Sequence, residues 1–173
     1  MVIRKRLNIK GPALVFITTT THNWTPFFNN DKIATIVLHQ LKETIEYYDA
    51  SLVSYVLMPT HLHMLLGINQ IELLSKFMQS FKILNSKAVK TYLLENKKEY
   101  TKNEPFIFWK PRFDDLIIQS DKQFRIKMEY IHNNPVKAGL VAVPSDWKYS
   151  SAGDWLDNKS GILPIDKSFE WLL

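Results

Sequence analysis

Two histidines one residue apart, and a tyrosine four residues ahead of an asparagine, are the side chains here best spaced to do chemistry. His61 and His63 stand in the run YVLMPTHLHMLLG. Strand alternation puts both on one face, about 6 to 7 Å apart along the strand, so two imidazoles can converge on one ion. In the same count Val56, Met58, Leu62, Met64 and Leu66 project to the opposite face, which is apolar and should pack on helices. A bare His-x-His equally suits two polar residues on an exposed sheet face, and both readings stay open at this point. Two neutral imidazoles leave room for oxygen ligands, and such a site suits Mn²⁺ or Mg²⁺ assisted by a substrate phosphate, or Zn²⁺. His22, His39 and His132 have no comparable arrangement and read as surface or turn residues.

In FRIKMEYIHNNP the apolar helix face is Phe124, Met128 and Ile131, and Tyr130 lies off it. Asn134 follows Tyr130 by four residues, about 40° around a helix, so phenol and amide share a face. They could reach one substrate atom or one metal. The alternative is a half-buried aromatic beside a C-capping asparagine. Lys127, three residues before Tyr130, lies on nearly the same side. Its charge would favour the phenolate of a phenol whose unperturbed pKa is about 10.

These groups need a scaffold, and the apolar periodicities supply one. Ala13 to Thr21 reads as a strand and Asp31 to Asp49 as an amphipathic helix. Leu52 to Met58 and His61 to Gly67 read as an antiparallel hairpin. A long helix is expected from about Ile71 to Leu94, with Lys76, Lys82, Lys87 and Lys90 on its polar face. That face suits solvent or a DNA backbone. Asn96 to Glu104 reads as a charged loop, and Phe106 to Gln119 as one or two strands broken at Pro111. A helix capped at Ser120-Asp121 should run to about Asn134, where Pro135 is expected to stop it. The order β-α-β-β-α-β-α gives an α+β fold: an antiparallel sheet of four to five strands with helices packed on one face.

The 173 residues carry a net charge of +5, which suits a polyanionic partner without demanding one. The chain has no cysteine, which excludes disulfides and thiolate metal sites. No apolar run approaches the roughly 18 to 20 residues that span a bilayer, so a cytoplasmic protein without a membrane partner is expected. With no linker or repeat, residues 1–156 are read as one domain and 157–173 as a C-terminal tail.

The hairpin YVLMPTHLHMLL, the segment FWKPRFDD and the run YIHNNPVKAGLVAVPSDWKYSS together resemble the REP-associated tyrosine transposases. These are relatives of the insertion-sequence transposases with a His-hydrophobic-His (HUH) motif and one catalytic tyrosine. The resemblance extends from Val15 to about Trp155. It implies a ferredoxin-like or RNA-recognition-like HUH nuclease fold, His61 and His63 as metal ligands, Asn134 as a third ligand and Tyr130 as the nucleophile. It further implies Mg²⁺ or Mn²⁺ as cofactor and single-stranded DNA with hairpin structure as partner, cut and rejoined through a 5′-phosphotyrosine. The chain is expected to be a monomer or a homodimer, since some relatives exchange the tyrosine helix between subunits.

Position 60 is Thr where the family commonly has Asn, and position 110 is Lys where Gln usually follows the tryptophan. Neither is expected to touch a proposed ligand. Lys76, Lys82, Lys87, Lys90, Lys110 and Arg112 would track phosphates, while Trp109 would stack on an unpaired base or fill the core. Three alternatives compete: a hairpin-binding module that does not cut, an RNA-binding sheet domain with aromatics across its face, and a zinc hydrolase. The zinc hydrolase would have to use Asn134, an unusual zinc ligand, as its third protein donor.

Overall fold

A computed structural model describes residues 9–96 and 105–170. Segment 97–104, nearly all of the expected charged loop, lies outside the described residues. The elements run β1 (Ala13–Thr20), α1 (Asp31–Tyr47), β2 (Ala50–Met58), β3 (His61–Ile68), α2 (Leu74–Asn96), β4 (Asp114–Ile117), α3 (Asp121–Lys137) and the short α4 (Ala152–Leu156). The sheet order is β2-β3-β1-β4, and every neighbouring pair is antiparallel. This is the βαββαβ ferredoxin-like arrangement, so the expected α+β class holds. The stretch expected to give one or two strands yields β4 and a single bridge between Trp109 and Thr21.

Caps and periodicity explain the helices. Asn30 accepts from the backbone N–H of Lys32 and Ile33 to start α1, and Ser120 accepts from Gln123 N to start α3. Val37, Leu38 and Leu41 of α1 join Phe77, Met78 and Phe81 of α2 over one sheet face, on Leu57, Leu62, Met64 and Leu66. The other face is covered by α3, whose Phe124, Met128 and Ile131 pack on Phe16, Val56, Met58 and Leu65. Helices thus lie on both faces, with α1 and α2 on one and the tyrosine helix on the other.

That division corrects two expectations: helices cover both sheet faces and not one, and the hairpin residues divide differently between the faces. Val56 and Met58 share the face of the histidines, because Met58 pairs with His61 and Val56 with His63. Directly opposed residues point the same way, so the two-residue turn Pro59-Thr60 reverses the odd-even count between the strands.

The end of α3 also differs. The helix continues through Pro135 to Lys137. The proline's missing N–H falls in the last turn, its ring is buried, and Gly139 at φ 69° closes the helix. Leu140 N donates to the Pro135 carbonyl at 2.9 Å, and Ala138 N to that of Asn134 at 3.0 Å. Tertiary packing here outweighs the local penalty of proline. As a result Asn134 stays helical and keeps its place beside Tyr130.

The helix is fixed to the sheet by His132, which is buried rather than a surface residue. Its Nε2 lies 3.1 Å from both Ser54 Oγ and Ser151 Oγ, and the two hydroxyls lie 3.0 Å apart. Ser151 Oγ also accepts from Tyr55 N at 3.0 Å. Residues beyond α3 run along the free side of β2. Leu57 N donates to Tyr149 O, Ser151 N to Tyr55 O, and Asp166 N to Leu52 O. The segment expected to be a tail therefore contributes to the core at Leu163 and Ile165.

Burial holds His132 down at about 4, against a weaker opposing pull from the Asp154 charge. An unfolded imidazole titrates near 6.5, so below that pH the unfolded chain gains a proton that the folded chain refuses. Stability should be full above about pH 6.5 and fall as the pH drops toward 4. Thermal melts of His132→Gln should show a shallower loss over that window, and an unchanged slope would contradict the role given to this residue. Ser151→Ala should cost about 1–3 kcal/mol in denaturant unfolding by stranding buried partners.

Candidate active site

The site forms where β3, β1 and α3 meet. His61 and His63 project from β3 with ring centroids 4.6 Å apart. The β1 register places Thr18 opposite His63 and Thr20 opposite His61. Thr18 Oγ1 lies 2.7 Å from His63 Nδ1, and Thr60 Oγ1 lies 3.0 Å from His61 Nδ1. In the tautomer whose Nδ1–H donates to threonine, each imidazole keeps its Nε2 lone pair for a ligand. Thr60 thus touches a proposed ligand, contrary to expectation, because the turn residue next to His61 reaches back to its ring.

Burial pushes His63 down to about 3, with the charges of His61 and Lys127 adding to the effect. Burial lowers His61 as well, opposed by a hydrogen bond with the Asn134 side chain. Both rings are therefore neutral at physiological pH, the form that binds metal. From α3, Tyr130 brings its hydroxyl to 3.4 Å from His63 Nε2, at the long limit of a hydrogen bond. Tyr130 is 38 % exposed, so a large substrate can reach the phenol. The four residues named from the sequence, His61, His63, Tyr130 and Asn134, come together.

Phe16 of β1 completes the floor. It stacks on His63 at 5.6 Å and meets the Tyr130 ring edge-on at 5.8 Å. The Lys127 ammonium rests 4.3 Å over Phe16 and 5.5 Å from the Tyr130 ring centre. Phe16 and Thr18 escape a motif reading because only the β1–β3 register brings them to the site. Among the described residues no cluster of three His, Asp or Glu forms. Two imidazoles and the Asn134 amide are neutral nitrogen and oxygen donors that could hold a divalent ion with positions left for water or phosphate oxygens.

The outer residues fare unevenly. Lys82 does not track phosphate: its Nζ donates to the carbonyls of Lys110, Pro111 and Arg112 at 2.8, 3.4 and 2.9 Å. Burial pushes this ammonium down to about 8. Trp109 is 4 % exposed and belongs to the core, so it does not stack on a base. Lys76, Lys87 and Lys90 lie on α2, which packs on the sheet face away from the histidines. Lys110 and Arg112 border a cavity of about 500 Å³ beside the site. Trp24, which no sequence motif marks, brings its ring to 6.1 Å from His61.

Residues 13–134 match the family model described as "Transposase IS200 like". A Haemophilus influenzae protein provisionally named a REP-associated tyrosine transposase is 31% identical over 130 residues, covering 72% of this chain and 70% of that one. A REP-associated tyrosine transposase of Escherichia coli is 39% identical over 77 residues, 42% of this chain and 43% of the relative. Among solved structures, a REP-associated tyrosine transposase bound to a REP hairpin superposes with a TM-score of 0.73 at 22% identity, covering 98% of this chain and 95% of that one. A crystal structure of a provisionally named transposase from Deinococcus radiodurans gives 0.51 at 18%, covering 77% and 97%.

The threonine contacts carry their own consequence. Thr18→Val should weaken Mn²⁺ binding about 10–100-fold in titration calorimetry, the usual cost of losing a residue that orients a ligand, and Thr18→Ser should restore it. Equal affinity in all three proteins would mean that the hydroxyl does not orient His63.

Proposed function

Because the chain belongs to the IS200-like transposase family, and within it to the REP-associated tyrosine transposases, we propose that it cuts and rejoins single-stranded DNA next to hairpins through Tyr130. The observation that carries this reading is the Tyr130 hydroxyl lying 3.4 Å from the nitrogen that His63 keeps for a ligand. Nucleophile and prospective metal donor share one small space.

His61, His63 and Asn134 would hold Mg²⁺ or Mn²⁺. Such an ion would draw charge from a phosphate oxygen and make phosphorus more electrophilic. The chain's own residues do the rest. The Tyr130 oxygen loses its proton and attacks phosphorus, a phosphorus–oxygen bond forms to tyrosine, and the bond to the 3′ oxygen breaks. The departing oxygen takes a proton and becomes a free 3′-OH, leaving a 5′-phosphotyrosine. Attack by another 3′-OH reverses the exchange, with phenolate leaving and the strand joined. Bond count is conserved, so no nucleotide triphosphate is consumed. Lys127, above Phe16 and near the phenol ring, is placed to offset charge on the phenolate and on the incoming phosphate. Fixing α3 through His132 holds the attacking oxygen against the strand that carries the histidines.

Incubating the protein with hairpin oligonucleotides and Mn²⁺ should give a covalent protein–DNA adduct that survives denaturing electrophoresis. Tyr130→Phe should give none, and His61→Ala or His63→Ala should lower the yield steeply. An adduct that persists in Tyr130→Phe would overturn the nucleophile. Hairpin binding without any adduct would leave a DNA-binding module that does not cut. Lys127→Ala should move the pH profile of adduct formation toward higher pH, and an unmoved profile would remove Lys127 from the mechanism.

A further inference from the structure

Beside the histidine pair lies a cavity of about 500 Å³ bordered by Thr18, Thr20, Trp24, Lys110, Arg112 and Asp114. Thr18 and Thr20 are its link to the site, since they pair with His63 and His61 across the β1–β3 ladder. The volume falls within the range of sites that enclose small ligands.

Trp24 is the unusual wall. It is 57 % exposed, and both Asn23 (φ 52°) and Trp24 (φ 55°) adopt the left-handed backbone conformation. A side chain this large gains nothing for the core there, and folding alone would favour glycine or asparagine. The Lys110 ammonium sits 4.2 Å over the indole, holding the ring from one side while most of the residue stays open to solvent.

The walls are rigidly tied together. His22 N donates to Phe108 O and Lys110 N to Thr20 O, each at 2.9 Å, and Thr21 N donates to Thr60 O at 2.9 Å. The Trp24 turn, the segment carrying Lys110 and the turn before His61 therefore form one unit. Lys82 fixes the far strip by binding the backbone carbonyls of residues 110 to 112. That leaves the Lys110 and Arg112 side chains to supply positive charge at the cavity. Asp114 also borders the cavity, directly opposite Thr18 in the β1–β4 ladder, so a phosphate is held away from it, toward Lys110 and Arg112.

We infer that this cavity seats an unpaired nucleotide next to the scissile phosphate, its base stacked on Trp24 and its phosphate held by Lys110 and Arg112. The inference rests on the strand-cutting reading and adds a residue that selects and positions the substrate. An exposed indole backed by a cation suits a nucleobase, since any base offers a face for stacking while the flanking phosphate meets the basic pair.

The test uses the full chain in EDTA with fluorescein-labelled DNA hairpins carrying a short single-stranded flank, read by anisotropy. An abasic site is placed at each flank position in turn. In the wild type, one position should weaken binding about tenfold when its base is removed, within the range expected for one base stacked on an aromatic ring. Trp24→Ala should lose a similar factor on the intact flank and show no further loss at that position, whereas Trp24→Phe should keep most of both effects. The same abasic penalty in Trp24→Ala as in wild type would overturn the inference. If wild type still forms its Mn²⁺-dependent adduct, the strand-cutting reading survives that result. Failure of wild type to bind any flanked hairpin would overturn both.

Discussion

The turn Pro59-Thr60 is the constraint on which the site depends. By joining β2 to β3 with only two residues it fixes Met58 opposite His61 and Val56 opposite His63. The histidine side chains are thereby committed to the face that α3 covers, not the face of α1 and α2. One residue more in that link would shift the register and turn both imidazoles toward the opposite core. The turn is itself held in place, since Thr21 N and Phe28 N donate to the Thr60 and Pro59 carbonyls. Thr60 then binds the His61 ring directly. Strand pairing, loop anchoring and ligand orientation thus meet within four residues.

The second requirement is a helix placed firmly enough to present a reactive oxygen. A surface helix resting only on Phe124, Met128 and Ile131 could slide along its apolar stripe. The buried cluster of Ser54, His132 and Ser151 removes that freedom through directional bonds. It also links the helix to the segment covering β2, so residues 147–151 act on the site through the fold. Family resemblance gave that run weight, and the structure assigns it a support for β2 and α3.

What was legible in the sequence divides along physical lines. Alternation and helical spacing act within one element, and they placed His61 with His63 and Tyr130 with Asn134. The α+β class followed from the succession of elements, but the strand order β2-β3-β1-β4 did not. Relations between elements were not legible: Thr18, Phe16 and Trp24 reach the site only through β1 pairing and loop closure, and no local pattern marks them. Local rules also misled where tertiary packing opposed them. Pro135 is buried inside α3 rather than ending it. Lys82 looks like any polar-face lysine, yet it is occupied by three backbone carbonyls. Trp109 fills the core, while Trp24, on a loop without periodicity, is exposed.

The proposed chemistry requires His61, His63 and Asn134 to hold one metal beside Tyr130. Anomalous diffraction from crystals loaded with Mn²⁺ addresses this directly. A single strong peak bonded to the Nε2 atoms of His61 and His63 and to the Asn134 amide oxygen is the predicted result. Manganese bound through Nδ1, or located away from β3 and α3, would contradict the account.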